Sequence, residues 1–309
     1  GLQIGQAGPG DVLNNAPVAV FSGSGGNELT FAISEVGTDT SSRSAVVSYY
    51  NSQYIITESQ LANDTVGAVS GCDEGSTSSA YKTAVLKRIN YYRSMAGLSL
   101  ASSIDATTSA KDQEAALMFV GQGALSHSPA SNWTCYTANA AEAASKSNIS
   151  LGNNGWDSIA AYMKDKGASN APVGHRRWIL YPQTQTFGTG DVDATGGANS
   201  AYQGKSNSLW VQDANIWTTR PTTRDGYIAW PPPGYVPYQV VYPRWSISFK
   251  NADFSSATVT MSTNGTDIPV TIDHRGSGSN SAPENTLVWR PTSMADDATW
   301  TAPSSDTSY

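Results

Sequence analysis

The sequence predicts an α+β protein whose helices and strands occupy different stretches of the chain. Residues up to about 75 and from about 216 contain short β-branched and aromatic runs, separated by Gly, Ser, Asn and Pro. Residues from about 76 to 215 instead carry apolar side chains at helical spacing, followed by two strand-like runs. Because these strands follow the helices rather than alternate with them, we expect helices packed on a sheet, not βαβ units.

The chain therefore divides into three predicted parts, residues 1–75, 76–215 and 216–309. In the first, "PVAVFSG", "LTFAISEV" and "SAVVSYYNSQYIIT" predict strands, and "CDEGSTSS" predicts a linker. The last part contains alternating runs such as "DIPVTIDH" and "NTLVWRP", with a turn at Asn264-Gly265. This pattern is typical of a β-sandwich, whose final strand is expected to lie beyond "SSDTSY" and Tyr309 or to come from another segment.

The middle part contains the predicted helices. "SSAYKTAVLKRINYYRSMAG" starts with capping serines, ends at Gly97, and places Val85, Ile89 and Tyr92 on one buried face. "SIDATTSAKDQEAALMFVG", "NAAEAASKSN" and "NGWDSIAAYMKDKG" predict three further helices. "QTFGTGDVDA" and "NSLWVQDA" predict the strands that follow.

Composition excludes two classes of function. The net charge of -7 and the pI near 4.9 argue against a nucleic-acid-binding protein, which needs a basic face. The sequence contains no run of 18 or more apolar residues, which is the length that would predict a membrane span. Charged residues make up only 14%, and the sequence begins at Gly1 without an apolar leader. We therefore expect a secreted, extracellular or cell-surface protein, although a trimmed chain would look the same.

The two cysteines, Cys72 and Cys135, lie in Gly-, Ser- and Asn-rich surroundings. One long-range disulfide is the favoured prediction, with free thiols as the alternative. Neither cysteine belongs to a C-x-x-C pair, so the sequence does not favour zinc binding by thiolates.

Few titratable residues are candidates for chemistry in the helical part. They are His127, Glu142, Asp157, Asp165 and His175. Two histidines and a carboxylate can form an open metal site or an acid–base pair. They lie far apart in sequence, so only the fold can bring them together. A third histidine, His274, is expected to be solvated.

Each candidate also has a purely structural interpretation. His127 precedes Ser-Pro and can cap a turn, and Glu142 can be a surface charge on an alanine-rich helix. His175 follows a loop-to-helix entry, where its ring can bond to the backbone. A serine hydrolase is not favoured, because Ser126 is adjacent to His127 and no G-x-S-x-G elbow exists.

Four segments in order resemble the CAP superfamily, which includes cysteine-rich secretory proteins, venom antigens and plant pathogenesis-related proteins. "VLKRINYYRSMAGLSL" is similar to its first helix, and "DATTSAKDQEAALMFV" followed by "LSH" to its second. "AEAASKSNI" stands in place of Gly-Glu-Asn-Ile, and "VGHRRWILYPQTQTFGTGDV" resembles a bacterial signature of the family. The resemblance covers residues 80–212, and "AWPPPGYVPYQVVYPRWSISF" looks like a β-domain that accompanies such domains in bacterial secreted proteins.

The resemblance implies an α-β-α sandwich with a cleft formed by two histidines and two acids. Residue by residue, these are His127, Glu142 and His175, with Asp165 the preferred fourth member and Asp157 the second choice. The family cleft can hold a divalent metal such as zinc. Here alanine replaces the asparagine that follows the family glutamate, a change expected to alter the geometry of the cleft.

Beside His175, Arg176, Arg177 and Trp178 are expected to brace the helix, with Arg176 and Trp178 supporting the cleft. The favoured function is extracellular binding or assembly without catalysis, with a lipid, glycan or protein as ligand. One alternative is a metal-dependent hydrolase using His127, Glu142 and His175. Another is a structural subunit of an extracellular filament or surface layer, which self-associates by β-strand addition.

Overall fold

A computed structural model of the chain describes residues 7–9, 36–56, 65–277 and 283–309, and the fold is α+β as predicted. The helices are α1 Arg43–Tyr49, α2 Ser79–Met95, α3 Ala106–Gln122, α4 Ala138–Lys146, α5 Gly155–Lys164 and α6 Gly174–Ile179. The strands of the first two thirds are β1 Ala7–Pro9, β2 Gly67–Ala68, β3 Ser103–Ile104, β4 Ser147–Leu151, β5 Thr186–Thr195 and β6 Lys205–Trp210. Those of the last third are β7 Ile228–Trp230, β8 Gly234–Val236, β9 Trp245–Ser248, β10 Met261–Thr263, β11 Thr266–Ile268, β12 Val270–Arg275 and β13 Thr286–Pro291.

The central sheet has the strand order β2-β5-β6-β4, with β3 also paired to β5. β5, β6 and β4 run antiparallel, whereas β2 and β3 run parallel to β5. Apolar side chains of α2 and α5 pack on one face with Phe187 and Leu209, and those of α3 and α4 pack on the other with Ile149 and Trp210. These layers form the α-β-α sandwich that the resemblance implies.

Helix α2 follows the sequence prediction. The Ser78 hydroxyl accepts a hydrogen bond from the Tyr81 N–H at its start, and Gly97 beyond its end has a φ of +73°. Val85, Ile89 and Tyr92 are all 0% exposed, which confirms the predicted buried face.

The strand predicted over residues 44–57 is wrong, because this segment forms α1 and a π-helical continuation, Tyr50–Tyr54. The Ser42 side chain caps α1, and the rings of Tyr50 and Tyr54 lie 6.0 and 5.0 Å from that of Tyr91 in α2. Packing of a helical aromatic stripe on α2 thus overrides the local β-propensity of the run. Residues 17–23 and most of 29–36, also predicted as strands, lie outside the described residues.

Helix α3 lies unusually close to the sheet. A Cβ at Gly190 of β5 would lie 2.0 Å from the carbonyl carbon of Asp112, so glycine is required there. The buried Asp112 carboxylate accepts hydrogen bonds from the Ser147 and Ser208 hydroxyls and from the Trp210 N–H, at 2.8, 2.7 and 3.1 Å. A carboxyl group therefore joins α3 to β4 and β6 from inside the sandwich.

The Gln113 side chain closes a gap at the edge of the same sheet. β2 and β3 pair with opposite ends of β5, and none of the described strands pairs with the middle of β5 on that side. The Gln113 amide accepts from the Asp191 N–H and donates to the Asp191 carbonyl, both at 2.8 Å, and it also donates to the Glu74 carbonyl. This pairing occupies backbone groups that an added strand would need.

The C-terminal strands form an antiparallel sheet of order β12-β13-β9-β7 and a β10–β11 hairpin. Asn264 and Gly265 both have positive φ in the hairpin turn, as predicted. The closing residues lie on the chain's own surface: the rings of Trp300 and Tyr309 are each 6.2 Å from that of Trp245. Residues 292–309 contain no strand.

The main hydrophobic cluster extends across the predicted boundary at residue 215. It includes Leu209 and residues of α2 and α5 together with Trp230, Tyr242 and Trp245. The hydroxyls of Tyr92 and Tyr242 are 2.6 Å apart within it. The boundaries at 75 and 215 stay predictions, but the middle and last parts share one core.

The predicted disulfide between Cys72 and Cys135 is confirmed. It links the turn after β2 to the loop between α3 and α4, across a sequence separation of 63 residues. The described parts of the chain contain no helix with the length and apolarity needed to cross a membrane.

The buried guanidinium of Arg93 joins α2 to the connection between α6 and β5. Arg93 is 1% exposed, and its guanidinium donates to the carbonyls of Ser99, Ile179, Tyr181 and Thr184 at 2.9–3.0 Å. Burial lowers the pKa of Arg93 to about 10, and the charge of Asp213 opposes this shift. Because α6 ends within this set of carbonyls, Arg93 sets its position relative to α2.

We predict that Arg93→Met lowers the free energy of unfolding by about 3–5 kcal/mol, because buried carbonyls lose their donors. Urea unfolding at neutral pH measures the change. Arg275→Met is the matched control, since Arg275 is exposed and, among the described residues, donates to the Ala257 carbonyl alone. Equal effects of the two substitutions would contradict this role of Arg93.

A second prediction concerns Asp112, whose pKa is raised well above its ordinary value by burial, against hydrogen bonds from Ser208, Ser147 and the Trp210 N–H. The folded state holds this proton to higher pH than the unfolded chain. Protonated Asp112 therefore stabilises the folded state fully below the ordinary carboxyl pKa. This stabilisation is lost as the pH rises through the pKa that Asp112 has in the folded state. We expect the contribution of Asp112 to the free energy of unfolding to fall from about pH 4 upward, so that the wild type loses more stability than Asp112→Asn as the pH rises.

Urea unfolding at several pH values, with Asp267→Asn as an exposed control, measures this difference. Identical pH profiles for Asp112→Asn and the wild type would show that Asp112 does not carry the effect.

Candidate functional site

The site is built around the start of the short helix α6. Val173, just before it, has a φ of +46°, a strained conformation for a β-branched residue. The Asp165 carboxylate accepts from the backbone N–H groups of His175 and Arg176, at 3.0 and 3.4 Å. Asp165 itself ends α5 in a left-handed conformation, so one residue ends one helix and caps the next.

The His175 ring is held on two sides. Its Nδ1 lies 2.7 Å from Oδ1 of Asp165, and the Tyr162 ring stacks on it at 5.2 Å with an interplanar angle of 20°. A carboxylate accepts hydrogen bonds, so it fixes the proton of a neutral imidazole on Nδ1. Nε2 then carries the lone pair, and the side chain is 24% exposed.

Asp165 is buried, with a side chain 1% exposed. Its carboxylate contacts the His175 ring and the start of α6, while its carbonyl accepts from Arg244 at 2.6 Å. These contacts give it a positioning role. Its action as a metal ligand stays a prediction, as does that of Asp157, which is exposed in the first turn of α5.

His127 lies in an exposed loop, with Nδ1 2.6 Å from the carbonyl oxygen of Ala144 in the last turn of α4. A carbonyl only accepts, so Nδ1 carries the proton and Nε2 is again the open atom. Four residues after Ala144, the Asn148 side chain donates to the His175 carbonyl at 3.0 Å. Both histidines are therefore attached to the junction of α4 and β4.

Glu142 contacts lysines rather than either histidine. Its carboxylate lies 2.6 Å from Nζ of Lys111 and 3.1 Å from Nζ of Lys146. Hydrogen bonds from Lys111 and then Lys146 lower the pKa of Glu142. In the described ranges no group of three or more His, Cys, Asp and Glu side chains is placed to hold a metal ion. The four-residue metal site accordingly stays a prediction.

The imidazoles of His127 and His175 are better suited to bind a metal than the carboxylate of Glu142 is. A donated Nδ1–H with a free Nε2 is the arrangement that zinc-binding histidines usually have. Glu142, by contrast, would have to exchange two lysine partners for the metal.

The residues after His175 are tied into the body of the protein. Arg176 is 1% exposed and donates to the Met163 carbonyl at 2.7 Å and the Ser246 hydroxyl at 2.9 Å. Burial lowers its pKa to about 10, against the charge of Asp165. The Trp178 ring packs edge-on against Tyr181 at 5.7 Å.

His274, expected to be solvated, is partly buried in β12. Its pKa is lowered by burial and then by the charge of Arg177. Sequence reasoning also missed the contact of Tyr162 with His175, because an aromatic residue in a helix is expected first to belong to its apolar face. The spacing of three residues between Tyr162 and Asp165 was the available signal.

The comparison with protein families identifies the middle part of the chain. Residues 86–213 match the CAP family, described as the cysteine-rich secretory protein family. Those residues form a CAP domain. The match agrees with the resemblance over residues 80–212, and the CAP domain contains His127, Glu142 and His175. The comparison with curated proteins finds no relative that matches this chain.

We predict that Asp165→Asn releases the His175 ring of the CAP domain. In the wild type at high pH, long-range ¹H–¹⁵N NMR spectra should show the proton of neutral His175 on Nδ1. In Asp165→Asn the same spectra should show a mixture of tautomers, because an amide can donate as well as accept. Asp157→Asn, on the exposed side of α5, is the control and should not change the spectrum. A wild-type His175 with its proton on Nε2 would contradict the assignment.

Proposed function

We propose that this protein is a secreted CAP-domain protein that binds an extracellular ligand through a surface centred on His175. The observation that carries the proposal is the 2.7 Å contact between Asp165 and His175 Nδ1, with Tyr162 stacked on the ring. This arrangement fixes the ring and leaves Nε2 as the acceptor of a side chain that is 24% exposed. Pre-organised polar groups of this kind give binding sites their specificity.

A divalent metal such as zinc is a natural partner for such a site. Nε2 of His175 and Nε2 of His127 would supply two neutral nitrogen ligands. Bound there, zinc would supply Lewis-acid chemistry toward an oxygen or nitrogen atom of a ligand. The lysines on Glu142 compete with the metal for its carboxylate, so we expect weak and reversible binding.

Binding is favoured over hydrolysis for the same reason. A metal-dependent hydrolase would use Glu142 as a general base or ligand, and the two lysines lower its proton affinity. Asp165 and His175 have the contact of a base and its orienting carboxylate, which keeps hydrolysis as the alternative.

Calorimetric titration with Zn²⁺ tests the proposal. We expect a dissociation constant in the micromolar range for the wild type, weakened at least about tenfold in His175→Ala because a nitrogen ligand is lost. His274→Ala is the matched control and should bind as the wild type does.

Zinc binding that persists unchanged in His175→Ala would contradict the proposed metal site. Hydrolysis of compounds from a panel of ester and peptide substrates, lost in Glu142→Gln, would favour the hydrolase over the binding protein.

A further inference from the structure

A small cavity lies where α6 meets the C-terminal strands. Arg176 and Arg177 line it from the CAP domain, and Ser246 and Ser248 of β9 line it together with Glu284, which precedes β13. Its volume is about 10 Å³, which is the space that one water molecule or one monatomic ion needs. The cavity can therefore hold a single small particle between two parts of the chain.

Two nitrogen atoms of the lining arginines are buried donors. Nη2 of Arg176 and Nε of Arg177 are shielded from solvent, and neither has a hydrogen-bond partner in the described part of the chain. Arg176 as a whole is 1% exposed. A buried donor without an acceptor is costly, and more so when the group is charged. A particle in the cavity that accepts hydrogen bonds would satisfy both nitrogens.

The acceptors that these arginines already have are neutral. Arg177 donates from Nη2 to the carbonyls of Pro283 and Glu284, at 3.0 and 2.8 Å. Arg176 donates to the Met163 carbonyl and to a serine hydroxyl. Among the described residues, no carboxylate forms an ion pair with either guanidinium. Two positive charges are thus held beside the cavity without a counter-ion in direct contact.

The carboxylates of this region have other partners. Glu284 pairs with Arg220, and the Asp165 carboxylate binds the His175 ring and the N–H groups that begin α6. Burial lowers the pKa of Arg176 and of Arg177, and the charge of Asp165 opposes both shifts only in part. The cavity lining carries two guanidiniums against one carboxylate. A water molecule would leave this positive excess uncompensated, whereas an anion would neutralise it.

A hydroxyl group adds a third donor. The Ser246 hydroxyl accepts from Nη1 of Arg176 at 2.9 Å, so its own hydrogen can be donated into the cavity that Ser246 lines. The Ser248 hydroxyl is used differently. Thr286 donates to the Glu284 carbonyl, so Ser248 donates to the Thr286 oxygen, at 2.6 Å. The donors available to the cavity are therefore two guanidinium N–H groups and one O–H group.

We propose that this cavity binds one small monovalent anion such as chloride, held by Nη2 of Arg176, Nε of Arg177 and the hydroxyl of Ser246. The ion joins α6 to β9 and neutralises the charge buried between them. The site is distinct from the proposed metal-binding surface, because the same guanidiniums repel a cation. Since the cavity is formed only by the folded chain, the anion stabilises the folded state as its concentration rises.

Urea unfolding at constant ionic strength, with sodium gluconate replaced stepwise by sodium chloride, tests the proposal. We expect the midpoint urea concentration of the wild type to rise and then level off as the site fills. The ³⁵Cl NMR signal of chloride should broaden in the presence of the wild type, and added bromide should reverse the broadening. Arg177→Gln, which removes one charge and Nε, should lose both effects. Arg275→Gln, at an exposed arginine of β12, is the matched control and should keep them.

A midpoint that does not depend on chloride in the wild type would overturn the proposal, because the cavity would then hold water. Equal chloride dependence in the wild type and Arg177→Gln would also overturn it, since the ions would then act on the general surface. If Arg177→Gln does not fold, Ser246→Ala takes its place. Loss of the hydroxyl donor should weaken chloride binding, measured by ³⁵Cl NMR, at least about threefold. Unchanged binding in Ser246→Ala would contradict the proposed site.

Discussion

The buried guanidinium of Arg93 is the contact on which the rest of the CAP domain depends. It donates hydrogen bonds to carbonyls of the loop after α2 and of the segment from the end of α6 to β5. These two segments are about eighty residues apart in the sequence. Carbonyl groups at the end of a short helix have no partners of their own, and water cannot reach these. A planar cation with five donors satisfies several of them at once. The position of α6, and with it that of His175, follows from this one side chain.

At the other end of α6, the Asp165 carboxylate accepts hydrogen bonds from backbone N–H groups of the first turn. Arg93 holds the carbonyl end and Asp165 holds the amide end, so a helix of six residues, too short to be stable alone, is fixed at both ends. Arg176 and Arg244 then tie the same region to the C-terminal sheet through Ser246 and the Asp165 carbonyl. The imidazole is thereby attached to the core scaffold, although 24% of the His175 side chain is exposed.

Much of this fold could be predicted from the sequence, because long helices leave strong local signals. The capping serine and Gly97 marked the ends of α2, and the four motifs in order identified the CAP domain. The segment at 44–57 could not be predicted in this way, since its tyrosines follow α2 rather than their own β-propensity. Nor could the contacts of Glu142, because its partner Lys111 lies on a different helix and no local pattern couples them. Asp165 was predicted as the fourth cleft residue, and its contacts show that it supports the His175 ring.

The side chain of Gln113 has a consequence for how this chain tolerates changes in length. Its amide takes the place of a missing peptide group beside Asp191, so the rotation of α3 about its axis is fixed relative to β5. One residue inserted between the helix start and Gln113 would turn that amide by about 100° and remove it from the strand. The loop before α3 can vary in length without this penalty, because the cap at Asp105 restarts the helix in the same register. Natural insertions should therefore accumulate before Asp105 and be rare in the two helical turns that follow it.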